Sequence, residues 1–250
     1  MVLRLVVPAS VLLACAPLFG HAADLTGSGG ASPVSPPSPW GQWFAGVTVL
    51  PDTISSYLGG SYAFNQDFAQ DGFVLRGSAS GGEYSYLRTP MLRQRVPYQN
   101  GELAIGYQTY ANGVHITFSL GANVENDHNG DPTATVKGTK AGVKGQADIY
   151  APLGGWFYAY GQASYSTAWS SFALYGKVGY RVTDALSIGP EASALGDINW
   201  DCAHAGAFVS YSLTASTDVG LSGGYARDIR SHGVYAENGG YVSLNLGSKF

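Results

Sequence analysis

The chain has 250 residues, and only 12% of them are charged, about half the proportion found in ordinary soluble domains. Glycine accounts for 35 of the 250 residues and aromatic residues for 13%, which disfavours both a disordered chain and a helical bundle. The formal net charge is -4 and no basic run is present, so we expect no nucleic acid as a partner.

The first 22 residues have the composition of a signal peptide. Arg4 supplies the positive charge, an apolar run follows, and small residues suit cleavage near Ala22. A second interpretation stays open, because the residues around Cys15 resemble a lipobox in which this cysteine would carry a lipid. Both interpretations predict export. With only Cys202 left after cleavage, no internal disulfide can form.

Residues 23–39 follow as a linker rich in Gly, Ser and Pro, which cannot bury a core and should be disordered. No later stretch reaches the roughly 18 consecutive apolar residues of a transmembrane helix. The exported chain is therefore expected to be periplasmic, secreted or an outer-membrane barrel formed by residues 40–250.

From residue 40 onward, apolar and polar residues alternate with the period of two that is typical of β-strands. Along 114–124, for example, the even-numbered positions are apolar and the odd-numbered ones are mostly polar. Counting every such run predicts twelve strands, at 40–50, 54–65, 72–86, 99–111, 113–125, 139–151, 155–167, 170–182, 185–195, 203–214, 217–227 and 234–250.

The lengths of the connections favour a membrane barrel. An even strand number puts both termini on one side, where every second connection should be short. Tight turns are predicted on that side at 112–113, 152–154 and 183–184. Long polar connections are predicted on the opposite side at 87–100, 126–138 and 227–232. The connection at 66–71 is longer than its side predicts.

The polar faces of the strands distinguish a membrane barrel from a soluble sandwich or a lipocalin-like barrel, whose wet face would carry Lys and Glu. Here the polar faces are mostly Ser, Thr, Gly, Gln and Asn, which suits a lumen. Aromatic residues near strand ends are typical of interfacial girdles: Trp43, Phe64, Phe73, Phe157 and Tyr180. We therefore predict an all-β fold, an antiparallel transmembrane β-barrel of about twelve strands, surrounded by outer-membrane lipid and closed by a strand ending at Phe250.

Charged residues of the predicted lumen offer weak candidates for chemistry. The carboxylates Glu102, Asp148 and Glu191 could form a glycosidase pair. Facing cations make a structural charge network the favoured interpretation: Arg76, Lys144, Lys177 and Arg181. The histidines lack the spacing of a metal pair, and no Gly-x-Ser-x-Gly motif is present. We expect no catalytic residues, no metal and no cofactor.

Four aromatic residues are the candidate substrate-binding residues of the lumen: Trp156, Tyr158, Tyr160 and Tyr175. Sugar rings present apolar C–H faces that pack on aromatic rings, while neighbouring polar groups bond the hydroxyls. Simple filling of the lumen by bulky side chains is the slightly favoured alternative. Twelve strands enclose a lumen wide enough for a single glucan chain if no loop plugs it.

Five short segments follow one another along the predicted barrel: 43–47 (Trp-Phe-Ala-Gly-Val), 71–77 (Asp-Gly-Phe-Val-Leu-Arg-Gly), 81–86, 188–196 and 223–228. In that order they resemble the cellulose biosynthesis protein BcsS family, over nearly all of the predicted barrel. The resemblance implies a role at the outer membrane in making or exporting cellulose, with a glucan chain and components of the cellulose synthase complex as partners. A general small porin or structural outer-membrane protein is the alternative, and an outer-membrane hydrolase is a third class.

Overall fold

The computed structural model describes residues 39–89, 92–231 and 238–250. The predicted signal peptide and the linker up to residue 38 lie outside this part of the chain. Within it, no helix is long and apolar enough to cross a membrane. The strands are β1 (Gly41–Val49), β2 (Thr53–Ala63), β3 (Gly72–Thr89), β4 (Leu92–Ala111), β5 (Val114–Asp127), β6 (Gly138–Gly154), β7 (Phe157–Ser166), β8 (Phe172–Arg181), β9 (Leu186–Gly196), β10 (Trp200–Ser212), β11 (Thr217–Ser231) and β12 (Gly239–Lys249).

The twelve strands close into one antiparallel barrel. Each strand pairs with its neighbours in sequence, and β1 pairs with β12 from Gln42↔Lys249 to Val49↔Val242. The first residues of β1 and the last residues of β12 therefore lie at the same end of the barrel. In outer-membrane barrels this is the periplasmic end.

Alternation along each strand sorts the side chains between the outer surface and the lumen. On β5, Phe118 and Leu120 are 63% and 65% exposed, whereas Ser119 between them is buried on the lumen side. Other large apolar side chains are exposed in the same way around the barrel: Leu58, Leu103, Ile105, Val143, Leu174, Val209, Leu221, Val242 and Leu244. A continuous outer band of this kind is solvated by lipid. The predicted transmembrane β-barrel is confirmed.

Aromatic side chains form a belt near the periplasmic end. Four of the five residues predicted for the belt are exposed there: Phe64, Phe73, Phe157 and Tyr180. Tyr107, which was not predicted, is also exposed in this belt. The rings of Phe73 and Tyr107 lie 5.2 Å apart, and those of Phe157 and Tyr180 lie 5.0 Å apart. The fifth, Trp43, is half-buried. This belt indicates where the membrane surface meets the barrel.

The hairpin of β3 and β4 is longer than the sequence predicts. The polar segment 87–100 was expected to be a loop, but β3 continues to Thr89 and β4 begins at Leu92. The prediction of a loop is therefore wrong. The physical reason is cross-strand packing on the inner face, where the aromatic Tyr84 pairs with the β-branched Val96 and both are fully buried.

The turn between β4 and β5 has the conformation that its sequence predicts. Asn112 and Gly113 have φ angles of 52° and 80°. A two-residue hairpin turn of type I′ requires positive φ at both positions, and Asn and Gly tolerate it best. The tight turn on the periplasmic side is confirmed.

The lipid-facing band can be tested with two arginine substitutions on the same face of β4. Ile105→Arg should lower the free energy of unfolding by roughly 2–4 kcal/mol, because Ile105 lies within the apolar band. The control Gln99→Arg replaces a side chain that is also on the outer surface but lies beyond the apolar band. It should lower the free energy of unfolding by only about 0–1 kcal/mol. Denaturant unfolding in lipid vesicles measures both costs, and equal costs would contradict the face and depth assigned to Ile105.

Candidate functional site

Two ion pairs cross the lumen between strands that are not neighbours. Arg76 Nη1 on β3 lies 3.0 Å from Asp148 Oδ2 on β6, and Lys144 on β6 pairs with Glu102 on β4. The four side chains are only 10–14% exposed. Tyr160 adds a third link, because its hydroxyl donates to Asp148 Oδ1 at 3.0 Å. The favoured interpretation of these residues, a structural charge network, agrees with this geometry.

The third lumen carboxylate, Glu191, is held by two tyrosines rather than by a cation. Tyr175 donates to Oε2 at 2.9 Å and Tyr241 donates to Oε1 at 2.8 Å. Since Glu191 lies on β9 and Tyr241 on β12, this contact also spans the lumen. No local pattern in the sequence indicates this role of Tyr241, because its partner is 50 residues away along the chain.

Lys177 and Arg181 on β8 are the lumen cations that meet no carboxylate. Among the described residues, no carboxylate oxygen lies within the 4.0 Å of an ion pair from either side chain. Arg181 Nη2 donates to the hydroxyl of Tyr150 at 2.7 Å. Lys177 Nζ lies 4.7 Å from the ring centroid of Phe208. The ring of Tyr158 lies between these two cations, 5.9 Å from Lys177 and 5.5 Å from Arg181.

Three of the four predicted sugar-binding aromatics meet inside the barrel. Tyr158, Tyr160 and Tyr175 are all buried, and the rings of Tyr160 and Tyr175 lie 6.0 Å apart. Trp156 does not join them, because it lies in the turn between β6 and β7, where its side chain is 50% exposed. The lumen position of Trp156 was predicted from the alternation of inward and outward side chains along a strand, and this alternation does not continue into the turn. Contact of the four residues with sugar stays a prediction.

Side chains fill the described lumen closely. A cavity of about 20 Å³ remains beside Lys177 and Ser222, and one of about 10 Å³ beside Arg76 and Ser119. Each has room for about one water molecule or less. Neither cavity is wide enough for a glucan chain, because tyrosine and charged side chains from opposite strands meet in the middle.

The connection from β5 to β6 folds into the extracellular mouth. Ala134 and Val136 are buried and belong to the same apolar cluster as Tyr84 and Tyr86. The start of this connection is held by Asp127, which accepts a hydrogen bond from the backbone N–H of Asn129 at 3.1 Å and one from the hydroxyl of Tyr84 at 2.7 Å.

Two shorter connections cover the mouth beside it. The backbone N–H of Ile198 donates to the carbonyl of Trp169 at 3.1 Å, which joins the β9–β10 connection to the β7–β8 connection. Ser171 Oγ then donates to Glu125 Oε1 at 3.0 Å and fixes the second connection to β5. Asp197 Oδ1 accepts the backbone N–H of Asn199 at 2.6 Å. The sequence did not predict that these connections cover the lumen, although a carboxylate two residues before a backbone donor is a recognisable turn signal.

At the periplasmic end, the connection from β2 to β3 packs against the lumen. Gln108 Nε2 donates to the carbonyl of Gln70 at 2.7 Å, and the hydroxyl of Tyr110 donates to the carbonyl of Phe68. Gln108 is thereby almost completely buried. The unexpected length of this connection, noted from the sequence, is explained by the residues needed to cover the lumen.

Burial raises the pKa of Asp127 to about 7 and the pKa of Asp197 to about 7. Their hydrogen bonds partly oppose this rise, and the nearby carboxylate of Glu125 adds to it. Both groups lie outside the membrane. Asp197 is in the connection between β9 and β10. Asp127 is the last residue of β5, and the neighbouring side chain on the outer surface, Gln99 on β4, is polar.

The described histidines form no metal site. Among residues 39–89, 92–231 and 238–250, no group of three or more His, Cys, Asp or Glu side chains is arranged to hold a metal ion. His115 stacks on Tyr110 and His204 stacks on Tyr241, while His128 is exposed. The remaining mature histidine, His232, lies outside the described residues.

The closed sheet, the outer apolar band and the polar lumen define an outer-membrane β-barrel protein. The chain belongs to the cellulose biosynthesis protein BcsS family, whose model matches residues 43–250. The family resemblance identified in the sequence is therefore confirmed. No curated protein matches the chain.

Solved structures of other barrels share the fold. The chain is similar to the KdgM porin, with 11% identity and a TM-score of 0.53 over 84% of this chain and 99% of that one. The KdgM porin in complex with disordered oligogalacturonate has 11% identity and a TM-score of 0.52 over the same shares. The transport unit of the autotransporter AIDA-I from Escherichia coli has 12% identity and a TM-score of 0.50, covering 85% of this chain and 90% of that one. At these identities the likeness concerns the fold alone.

The ion pair of Arg76 and Asp148 can be tested by breaking it in two ways. Arg76→Met should lower the free energy of unfolding by roughly 3–5 kcal/mol, because it leaves the Asp148 charge buried without its cation. The double variant Arg76→Met/Asp148→Asn should recover much of this loss, since no charge remains. Denaturant unfolding measures both. A double variant as unstable as the single one would show that the pair itself is not the cause.

The covered mouth should open more readily as pH rises. A carboxyl group released by opening titrates near pH 4, whereas Asp127 and Asp197 titrate near 7 in the closed form. The closed form is therefore most stable below about pH 4 and loses stability as pH rises to about 7. Amide hydrogen exchange at Asn129 and Asn199, corrected for intrinsic rates, should show more opening at pH 8 than at pH 5.

Asp197→Asn provides the control for this pH effect. It should remove the pH dependence at Asn199 and leave that at Asn129, because the two amides bond different carboxylates. Equal protection at both pH values in the unmodified protein would contradict the prediction.

Proposed function

We propose that this barrel assists the secretion or surface organisation of cellulose at the outer membrane, without enzymatic activity. The observation that carries the proposal is the match of the BcsS family model over residues 43–250. The apolar outer band supports the location, because it fits the barrel to a bilayer. Components of the cellulose synthesis machinery and the glucan chain are the partners that this role requires.

The state of the lumen carboxylates supports a non-enzymatic role. A glycosidase needs one carboxyl group as acid and a second one free to act as nucleophile or base. Here Glu102 and Asp148 are each paired with a cation, and both oxygens of Glu191 accept tyrosine hydroxyls. These bonds hold the barrel together across the lumen and leave none of the three poised for attack.

The packed lumen favours a role at the surfaces of the barrel over that of a permanently open channel. The 20 Å³ cavity beside Lys177 is far smaller than a sugar ring. Contact of a glucan with the hydroxyls of Tyr160 and Tyr175 therefore requires their hydrogen bonds to Asp148 and Glu191 to break first. This packing also disfavours the alternative of a general porin, which needs an open lumen.

Trp156 is the one predicted sugar-binding residue that a glucan can reach without rearrangement. Its side chain is half-exposed in the periplasmic turn between β6 and β7, and an exposed indole offers a flat apolar face for a sugar ring. We therefore place the first contact with a glucan, on its way from the periplasm, at this turn.

The proposal is tested by deleting the gene in a cellulose-producing host and restoring it with variants. Deletion should reduce extracellular cellulose or disturb the organisation of its fibres, and the unmodified gene should restore both. Trp156→Ala should restore them incompletely, because the exposed ring is lost. The control Leu153→Ala removes a similarly exposed apolar side chain from the adjoining end of β6 and should restore them fully.

The outcomes separate the two parts of the proposal. Unchanged yield and fibre organisation after deletion would overturn the cellulose role itself. Full restoration by Trp156→Ala would leave that role and remove the proposed contact at the turn. Heat-modifiable migration of each variant in an unboiled gel shows that the barrel has folded and makes the comparison valid.

A further inference from the structure

We infer that the lumen contains a binding site for one small monovalent anion, such as chloride, at the ammonium group of Lys177. This inference goes beyond the cellulose role and does not depend on it. It rests on the position of Lys177, on the cavity beside it and on the surrounding charges.

Lys177 is a buried cation in the middle of β8, with only 6% of the residue exposed. The lumen cations Arg76 and Lys144 each meet a carboxylate, but no carboxylate of the described residues lies within ion-pair distance of Lys177. A buried charge without a counterion in direct contact carries a desolvation cost. The ring of Phe208, 4.7 Å from Nζ, compensates part of this cost on one side of the ammonium group.

The cavity lies on another side of the same group. It is lined by Lys177, Phe208, Ser222, Asn245 and Glu191, and its volume of about 20 Å³ accepts a single occupant of the size of water or chloride. The hydroxyl of Ser222 is buried and has no hydrogen-bond partner within the described part of the chain. Two donors, an ammonium and a hydroxyl, therefore line the cavity, and the hydroxyl of Ser222 donates to none of the described residues.

The donors beside the cavity favour an anion. Lys177 and Arg181 lie around the ring of Tyr158, which brings two positive charges to one region of the lumen. Glu191 lies opposite Lys177 on β9 and lines the same cavity, but its two oxygens accept hydrogen bonds from Tyr175 and Tyr241. Those bonds leave the donors of Lys177 and Ser222 for an occupant that accepts hydrogen bonds, and the positive charge of the ammonium group favours an anion over a water molecule.

Thermal unfolding of the detergent-folded protein tests the site at constant ionic strength. Chloride and bromide should raise Tm in a saturable way, whereas gluconate should not, because it is too large for the cavity. Constant ionic strength keeps the general screening of surface charges equal between the salts. Equal Tm values in chloride and gluconate would overturn the inference and would indicate a water molecule between Lys177 and Glu191.

Two substitutions locate the effect. Lys177→Met should abolish the dependence of Tm on halide. The control Lys140→Met replaces an exposed lysine that lies 4.5 Å from the ring of Trp169 at the extracellular end, and it should keep the dependence. A halide dependence that persists in Lys177→Met would place the ion elsewhere and overturn the inference.

A third variant keeps the test decisive if Lys177→Met does not fold. Glu191→Gln retains the ammonium group and removes the negative charge that lines the cavity, so halide should bind roughly tenfold more tightly or better. Crystals soaked in bromide give the direct observation. An anomalous peak within hydrogen-bond distance of Lys177 Nζ supports the site, and an ordered water there without a peak overturns it.

Discussion

The pairing of β1 with β12 is the constraint on which the rest of the structure depends. A lipid bilayer offers no partners for backbone N–H and C=O groups, so a sheet that crosses it must have no free edge. Pairing from Gln42↔Lys249 to Val49↔Val242 removes the two edges that a twelve-stranded sheet would otherwise expose. Phe250 extends this seam, because its backbone N–H donates to the carbonyl of Gly41 at 3.0 Å and its ring packs on Trp40.

Closure of the sheet then determines the inside of the barrel. Every second side chain is turned inward, most of these side chains are polar, and buried polar groups need partners. Strands that are not neighbours provide them, as in Arg76 with Asp148, Glu191 with Tyr241, and Tyr57 with Asn245. The lumen is consequently a packed polar core. This packing is the basis of the proposed surface role, and it keeps the ammonium group of Lys177 buried.

Strand number, face assignment and the turn at Asn112-Gly113 could be read from the sequence because their signals are local. Alternation with a period of two assigned Phe118 and Leu120 to lipid and Ser119 to the lumen, and the Asn112-Gly113 pair specified its own turn. The ends of the alternating runs were less reliable. Trp156 was assigned to the lumen by its parity although a turn carries it outward, and the hairpin beyond Leu87 is held by packing that leaves no periodic signal.

The sequence by itself therefore determined an exported chain, a twelve-stranded membrane barrel and a family. Only the tertiary structure decided what the lumen contains and which connections cover its ends. Tyr57 and Asn245 are 188 residues apart in the chain, and their contact exists because β2 and β12 both adjoin β1 in the closed barrel. Such contacts depend on the diameter and stagger of the barrel, which are properties of all twelve strands together and are not encoded in any single segment.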